Sequence, residues 1–372
     1  MRRINYITNL ILKNQSGGWG GINYRMHSEL SRHFHVNVCE GVNPPSDIFE
    51  RIISKIRRVL RVRGDFFFFS KSRLDLIAAE VDVRNDVTAD INFFFGATPW
   101  IHFRSSTPYA VYLDASFQTY LSIYSKPDDF VKSDIERICN EEAAWLRNAT
   151  WIFWGSRWAL NEAASQYKID ITERRHFVIN TGGNIPIPNH IRPSDFTKLS
   201  LLFISLNFEK KGGFICYRAF EILRREFPMT TLTIIGEKPP DLVMKTQNVV
   251  YAGLLDKNKP DQLALLVEHL NTGSFLVHPT KMDTMGAVIV EAGYYGCPAI
   301  APNQFGIPDL IKDGKTGFLI EQIDSKIIVD IITKVFQNKE YYNKLRHDCY
   351  KFYSTSLSWE SIGQKIVLSI NT

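Results

Sequence analysis

Short apolar or aromatic runs alternate with segments of helical periodicity along most of the 372 residues. A strand covered by helices on both faces reads as a continuous apolar run, so this alternation is the mark of βαβ units around parallel sheets. In the first half, the runs at 4–8, 36–39, 66–69, 91–95, 109–113 and 151–154 predict strands. The four consecutive phenylalanines at 66–69 predict a strand buried on both faces. Helices fit between the runs over 21–34, 133–147 and 156–167. Gly and Pro then concentrate at 181–189, with Pro193 close behind, and this stretch reads as an interdomain linker. Beyond it the rhythm resumes, with strands at 201–206, 231–235, 249–252, 274–278 and 298–301. Helices are expected near 214–226 and 262–270 and from Met285. The pattern predicts an α/β chain of two Rossmann-like domains, over 1–185 and 186–355, with a C-terminal helix at 356–372 returning to the first.

Composition changes this picture little. Hydrophobic residues are 45% and charged residues 22%, which excludes disordered, collagen-like and coiled-coil classes. The net charge of +5 suits a phosphate ligand but is too small for a nucleic-acid protein, so no nucleic-acid partner is expected. Five cysteines stand singly, without a C-x-x-C pair, and predict reduced thiols in a cytoplasmic protein. The apolar run after Arg3 is broken by Asn5, Thr8 and Asn9 and reads as a first strand, not a leader. No apolar stretch approaches the roughly 20 residues that span a bilayer.

Three segments carry candidate chemistry. Ser16-Gly17-Gly18-Trp19-Gly20-Gly21 lies between the first strand and first helix, where Gly17 and Gly18 let backbone amides approach an anion. It lacks dinucleotide-fingerprint spacing, so a plain tight turn is an equal reading. Ser205 to Gly213 places Lys210 and Lys211 before two glycines at a strand end, a setting for a diphosphate. The third is Pro279-Thr280-Lys281-Met282-Asp283-Thr284-Met285-Gly286-Ala287-Val288-Ile289-Val290-Glu291-Ala292. Asp283 or Thr284 caps a helix there, and Gly286 in its first turn admits a close ligand. Glu291 follows Asp283 by about 12 Å at helical rise, a span suited to two ends of a nucleotide-sugar. The alternative makes Asp283 a simple cap and Glu291 a surface residue, but Val288, Ile289 and Ala292 surround Glu291 with apolar neighbours.

From Phe203 to Ile320 the chain resembles the donor half of the GT-B-fold retaining glycosyltransferases, the glycosyltransferase family 4-like "glycosyl transferases group 1". The resemblance rests on Lys211-Gly212, on strands ending at Gly236 and Gly253, and on Pro279-Thr280 before an E-x7-E-type pair at Asp283 and Glu291. Glu291 through Pro298 and Gly306 through Leu319 continue it; Trp154 through Ala159 and Val178 through Asn184 match more loosely. The resemblance implies an N-terminal acceptor domain, a C-terminal donor domain, and sheets facing a cleft. It implies transfer of a sugar from a UDP- or GDP-sugar to a glycan, lipid-linked or other acceptor, with retained configuration and no metal or further cofactor.

By the same resemblance Glu291 binds the donor ribose, Lys211 the diphosphate, and Asp283 lies near the transferring sugar. Gly17, Gly18, Lys210, Gly236, Thr280, Met285 and Gly286 complete the expected donor site. Asp283 stands where Glu is commoner, Ser205 where many members have arginine, and Asp114 where many carry a first-domain histidine. Asp114 is accordingly expected to be catalytic with Asp283; His102 and His27 are expected to be structural. A catalytically silent carbohydrate- or nucleotide-sugar-binding module and a sugar-nucleotide epimerase of the same fold remain the alternatives. Residues 51–63 intersperse basic and apolar positions in an amphipathic helix. Such a helix either packs its apolar stripe on the first domain, the favoured expectation, or lies peripherally on the inner face of a membrane.

Overall fold

The computed structural model describes residues 1–13, 17–60 and 62–372, without the side chain of Arg58. Ser16 and Arg61 of the motifs above lie outside the described residues. Contacts divide the chain into one unit of Met1–Asn14, Asn23–Asn180 and Gly363–Thr372, and a second of Gln15–Ile22 and Thr181–Ile362. Among the described residues the strands form two six-stranded sheets, every pairing parallel.

The first unit runs β1 (Arg3–Ile7), α1 (Trp19–Leu30), β2 (His35–Cys39), α2 (Ile48–Val59), α3 (Lys71–Arg84), β3 (Ile91–Phe95), β4 (Tyr109–Leu113), α4 (Phe117–Tyr124), α5 (Lys132–Arg147), β5 (Trp151–Trp154), α6 (Arg157–Tyr167) and β6 (His176–Val178). Its sheet order is β2-β1-β3-β4-β5-β6. Every residue of β3 and β4 is buried, as continuous apolar runs require in the middle of a helix-covered sheet.

The second unit runs β7 (Ser200–Ser205), α7 (Gly213–Glu226), β8 (Thr231–Gly236), α8 (Asp241–Met244), β9 (Val249–Gly253), α9 (Pro260–Thr272), β10 (Phe275–Val277), α10 (Ala287–Tyr294), β11 (Ala299–Pro302), β12 (Gly317–Ile320), α11 (Ser325–Gln337) and α12 (Lys339–Ser356); α13 (Trp359–Asn371) follows and is counted with the first unit from Gly363. Its order, β12-β11-β10-β7-β8-β9, reverses direction between β7 and β10. The carboxyl ends of strands at such a reversal are where open α/β sheets bind ligands.

Two expectations need correction. The phenylalanines at 66–69 are not a strand: Phe67–Phe69 form one 3-10 turn. The sheet has no slot for them there, because β1 pairs directly with both β2 and β3. The rings instead form a local cluster in which Phe66 stacks on Phe69 at 5.5 Å and meets Phe117 edge-on at 5.1 Å.

The division between the units falls at Asn180 and Thr181, and residues 181–185, at the start of the expected linker, are all buried. Gly183 is there for close approach: a Cβ on it would lie 2.7 Å from the Tyr294 ring and 3.0 Å from Cγ of Glu291.

The second correction concerns α2, whose apolar stripe was expected to pack inward. Its half-buried positions are Glu50, Ser54 and Arg57, spaced as one helical face. Glu50 accepts from the Ser72 hydroxyl at 3.0 Å, and Arg57 pairs with Asp65 at 2.6 Å. Ile48, Phe49, Ile52, Ile53, Ile56 and Val59 are all exposed, Phe49 by 71%. The helix is amphipathic as read, but the polar face has the partners and the apolar face is outermost.

Candidate active site

The site is built at the carboxyl ends of β7, β8 and β10 and the start of α10. The turn after β7 is tied by Ser205, whose hydroxyl donates to the Asn207 carbonyl at 2.8 Å and accepts from the Asn207 amide at 2.9 Å. Gly212 caps α7 at φ 83°, and a Cβ there would collide with the carbonyl of Pro279. The Lys-Gly turn and the segment opening at Pro279 are therefore in backbone contact. That contact brings Lys211 to Asp283.

Lys211 Nζ donates to Asp283 Oδ2 at 2.6 Å and to the Met282 carbonyl at 2.7 Å. His278 Nε2 also meets Asp283 Oδ2, at 3.1 Å. The other oxygen, Oδ1, accepts from the amides of Met285 at 3.3 Å and Gly286 at 3.1 Å. Burial opposes the charge on Asp283, but the His278 hydrogen bond and the Lys211 ammonium prevail and hold its carboxyl well below the usual range. Asp283 is thus a cap of the turn ahead of the helix, not a residue of it. Gly286, at φ 75°, is the N-cap, and α10 begins at Ala287. The helical distance expected between Asp283 and Glu291 does not apply, because the chain turns at Gly286 before the helix starts.

Glu291 is buried in α10. Its Oε1 accepts from the Asn184 amide at 2.9 Å and pairs with the Lys257 ammonium. Its Oε2 has no bond to a described residue. Tyr294, one turn on, accepts from the Gly183 amide at 2.9 Å and donates to the Leu357 carbonyl at 2.8 Å, which fixes the backbone that braces Glu291. A surface position for Glu291 is thereby excluded.

The other expected residues divide. Thr280 is buried and engaged in its own turn, donating to the Met282 carbonyl at 2.9 Å. Met285 is buried, while Lys210 is exposed and reaches no described side chain through its ammonium. Gly236 ends β8, where its carbonyl accepts from Tyr251 at 3.1 Å. Gly17 groups with the second unit, and a Cβ on it would lie 3.5 Å from Nζ of Lys257; Gly18 beside it takes φ 67°. Asp114 is half-buried just beyond β4 in the first unit. His102 is held between Asp75 at 2.7 Å and Glu141 at 3.3 Å, and His27 packs edge-on against Tyr6 at 5.2 Å. Sequence reasoning did not single out Lys257, Asn184 or His278. Each had a weak local signal: His278 stands directly before Pro279-Thr280, Asn184 ends the loosely matching stretch from Val178, and Lys257 follows the strand ending at Gly253. Two of these have enclosed polar atoms without a partner among the described residues: Nδ1 of His278, and both amide atoms of Asn184.

The family model described as "Glycosyl transferases group 1" matches residues 190–352, the segment that contains Lys211, Asp283 and Glu291. Among curated relatives, an uncharacterized 41.2 kDa protein in the cps region of Klebsiella pneumoniae is 30% identical over 159 residues, 42% of each chain. The capsular polysaccharide biosynthesis glycosyltransferase CapM of Staphylococcus aureus is 27% identical over 106 residues, 28% of each chain. The matches thus span less than half the length of these curated relatives. Among solved structures, sucrose-phosphate synthase of Thermosynechococcus elongatus superposes with TM-score 0.71 at 14% identity, covering 100% of this chain and 98% of that one. Anabaena HepE in complex with UDP-glucose gives TM-score 0.67 at 16% identity, with 100% of both chains covered. These likenesses show the fold, GT-B, with two Rossmann-like units.

Proposed function

We propose that this chain is a group 1 glycosyltransferase that takes a sugar from a nucleotide diphosphate donor, UDP- or GDP-linked, and passes it to a glycan or lipid-linked acceptor with retained configuration. The observation that carries the reading is Glu291, a buried carboxylate with Oε1 fixed and Oε2 without a described partner. A carboxylate accepts from hydroxyl donors, and the vicinal hydroxyls of a ribose are such donors. Lys211 supplies a cation for the departing diphosphate, with the exposed Lys210 beside it and the amino end of α10 adding partial positive charge. Both oxygens of Asp283 are already engaged, so its first task is to hold Lys211 and the turn at Gly286; its remaining acceptor capacity serves the transferring sugar. Asp114 is the first-unit carboxylate assigned to the reacting end of the donor.

The outward apolar face of α2, flanked by exposed Arg51 and Lys55, supports peripheral docking on an anionic cytoplasmic membrane face, where a lipid-linked acceptor would be met. Among the described residues, no helix is long and apolar enough to cross a membrane.

The test incubates the protein with UDP- and GDP-sugars, with and without glycan and lipid-linked acceptors, and follows nucleotide release and the anomeric configuration of the product. Acceptor-dependent release with retention is the expected result. Donor binding without turnover on any acceptor would leave the silent module standing instead.

A further inference from the structure

Lys257 lies in the loop after β9, far in sequence from the donor motif, yet it is the cation that faces Glu291. Both side chains are deeply buried, at 11% and 5% exposure, so water screens the pair little. The ammonium and the Asn184 amide converge on the same oxygen, Oε1. Next to Asn184, the Gly183 backbone lies close to the stem of Glu291: a Cβ there would stand 3.0 Å from its Cγ. Gly17 stands beside the Lys257 ammonium and, having no side chain, leaves it room. The carboxylate is thereby held from several directions with one oxygen in use and the other without a described partner.

We infer that Lys257 is a positioning residue for nucleotide recognition: it neutralises and orients Glu291 so that Oε2 is presented to the vicinal ribose hydroxyls of the donor. The inference rests on the donor reading of Glu291 given above. It differs from a merely structural ion pair in what it predicts. Loss of Lys257 should impair recognition of the ribose hydroxyls specifically, leaving contacts to base and diphosphate in place. It also differs from a blocking role, in which Lys257 would compete with the ribose for Glu291 and its removal would tighten binding.

The experiment measures calorimetric affinities of the full chain for UDP and GDP and for their 2′,3′-dideoxy counterparts. The wild type should bind one ribonucleotide at least about tenfold more tightly than its dideoxy form, the scale of a hydrogen bond to a charged group. Lys257→Met, close in length and uncharged, should erase most of that ratio and leave the dideoxy affinity within about twofold. Lys257→Arg should restore part of it. Should the Met variant not fold, Lys257→Gln, which keeps a hydrogen-bond donor without the charge, decides the matter and should lower the ratio by about threefold or more. A folded Lys257→Met or Lys257→Gln that discriminates as the wild type does, or that binds the ribonucleotide more tightly, overturns the inference. Glu291→Gln separates the two claims. If it leaves discrimination intact, or if the wild type binds neither UDP nor GDP, the donor reading itself fails; if it abolishes discrimination and Lys257→Met does not, only the role of Lys257 fails.

Discussion

At the scale of single residues, Lys211 with Asp283 and Lys257 with Glu291 are charges that are already paired. Removing either partner of a buried pair leaves the other uncompensated, at a cost of about 3–5 kcal/mol. Glu291→Ala therefore mixes lost stability with lost recognition, whereas Glu291→Gln keeps an oxygen for Lys257. The Gln variant should bind UDP- or GDP-sugars at least about tenfold more weakly, with a smaller fall in melting temperature than Glu291→Ala. Calorimetry and thermal melts check both halves. Lys211→Ala should also weaken donor binding, and it should weaken binding of the free nucleoside little. Equal losses for diphosphate and nucleoside would remove Lys211 from the phosphate site.

Asp283 makes a prediction about pH. Its folded-state carboxyl titrates lower than in the unfolded chain, so its contribution to stability is complete above the unfolded value and is lost as pH falls. Lys211 and His278 are the charged and titratable groups facing it. Melting temperatures taken from pH 7 downward should drop more steeply below about pH 4 in the wild type than in Asp283→Asn. Parallel acid limbs would show that the ion pair contributes nothing.

At the scale of elements, two features are open to test. Gly212 joins a left-handed cap to a backbone contact with Pro279, so Gly212→Ala must both strain φ and push two loops apart. We expect a loss of about 2 kcal/mol or more in chemical denaturation, with nucleotide affinity reduced because Lys211 and Asp283 separate. The outward face of α2 predicts flotation with vesicles containing anionic lipid and none with neutral vesicles, the binding weakening as salt is raised. Ile52→Ser, Ile53→Ser and Ile56→Ser together should abolish flotation without lowering stability, since these side chains are exposed. A concentration-dependent change in sedimentation that these substitutions remove, without vesicle binding, would assign the face to a second copy of the chain instead.

At the scale of the molecule, each unit has its own buried core beneath its own parallel sheet. A nucleotide held by second-unit groups should therefore protect that unit first. Saturating UDP or GDP at about 100 times its Kd should stabilise the nucleotide-binding state by about 2.7 kcal/mol. Hydrogen exchange should slow around 181–184, 257 and 278–291 more than in β3 and β4. Protection confined to the first unit would contradict the assignment of the donor site.

Much of this was open to reading in the linear chain. Continuous apolar runs marked the central strands, because burial on both faces leaves a strand no polar side, and Lys211, Asp283 and Glu291 announced themselves by their order along one segment. The short strands β6 and β12 escaped notice, since sheet-edge strands with half-buried residues carry a weak pattern. What the linear chain could not carry was direction and partnership. Helical periodicity identified α2 as amphipathic but not which face is covered, because that depends on Asp65 and Ser72 being at hand for its polar side. The Gly-rich start of the supposed linker looked like punctuation, yet its glycine admits Tyr294 and Glu291 to the backbone. Lys257 is 34 residues from Glu291, and no spacing rule links a loop after one strand to a helix after another. Sequence determined the strands, the turns and the charges available; only the fold decided which charges meet, because burial at the strand ends makes pairing across the sheet compulsory.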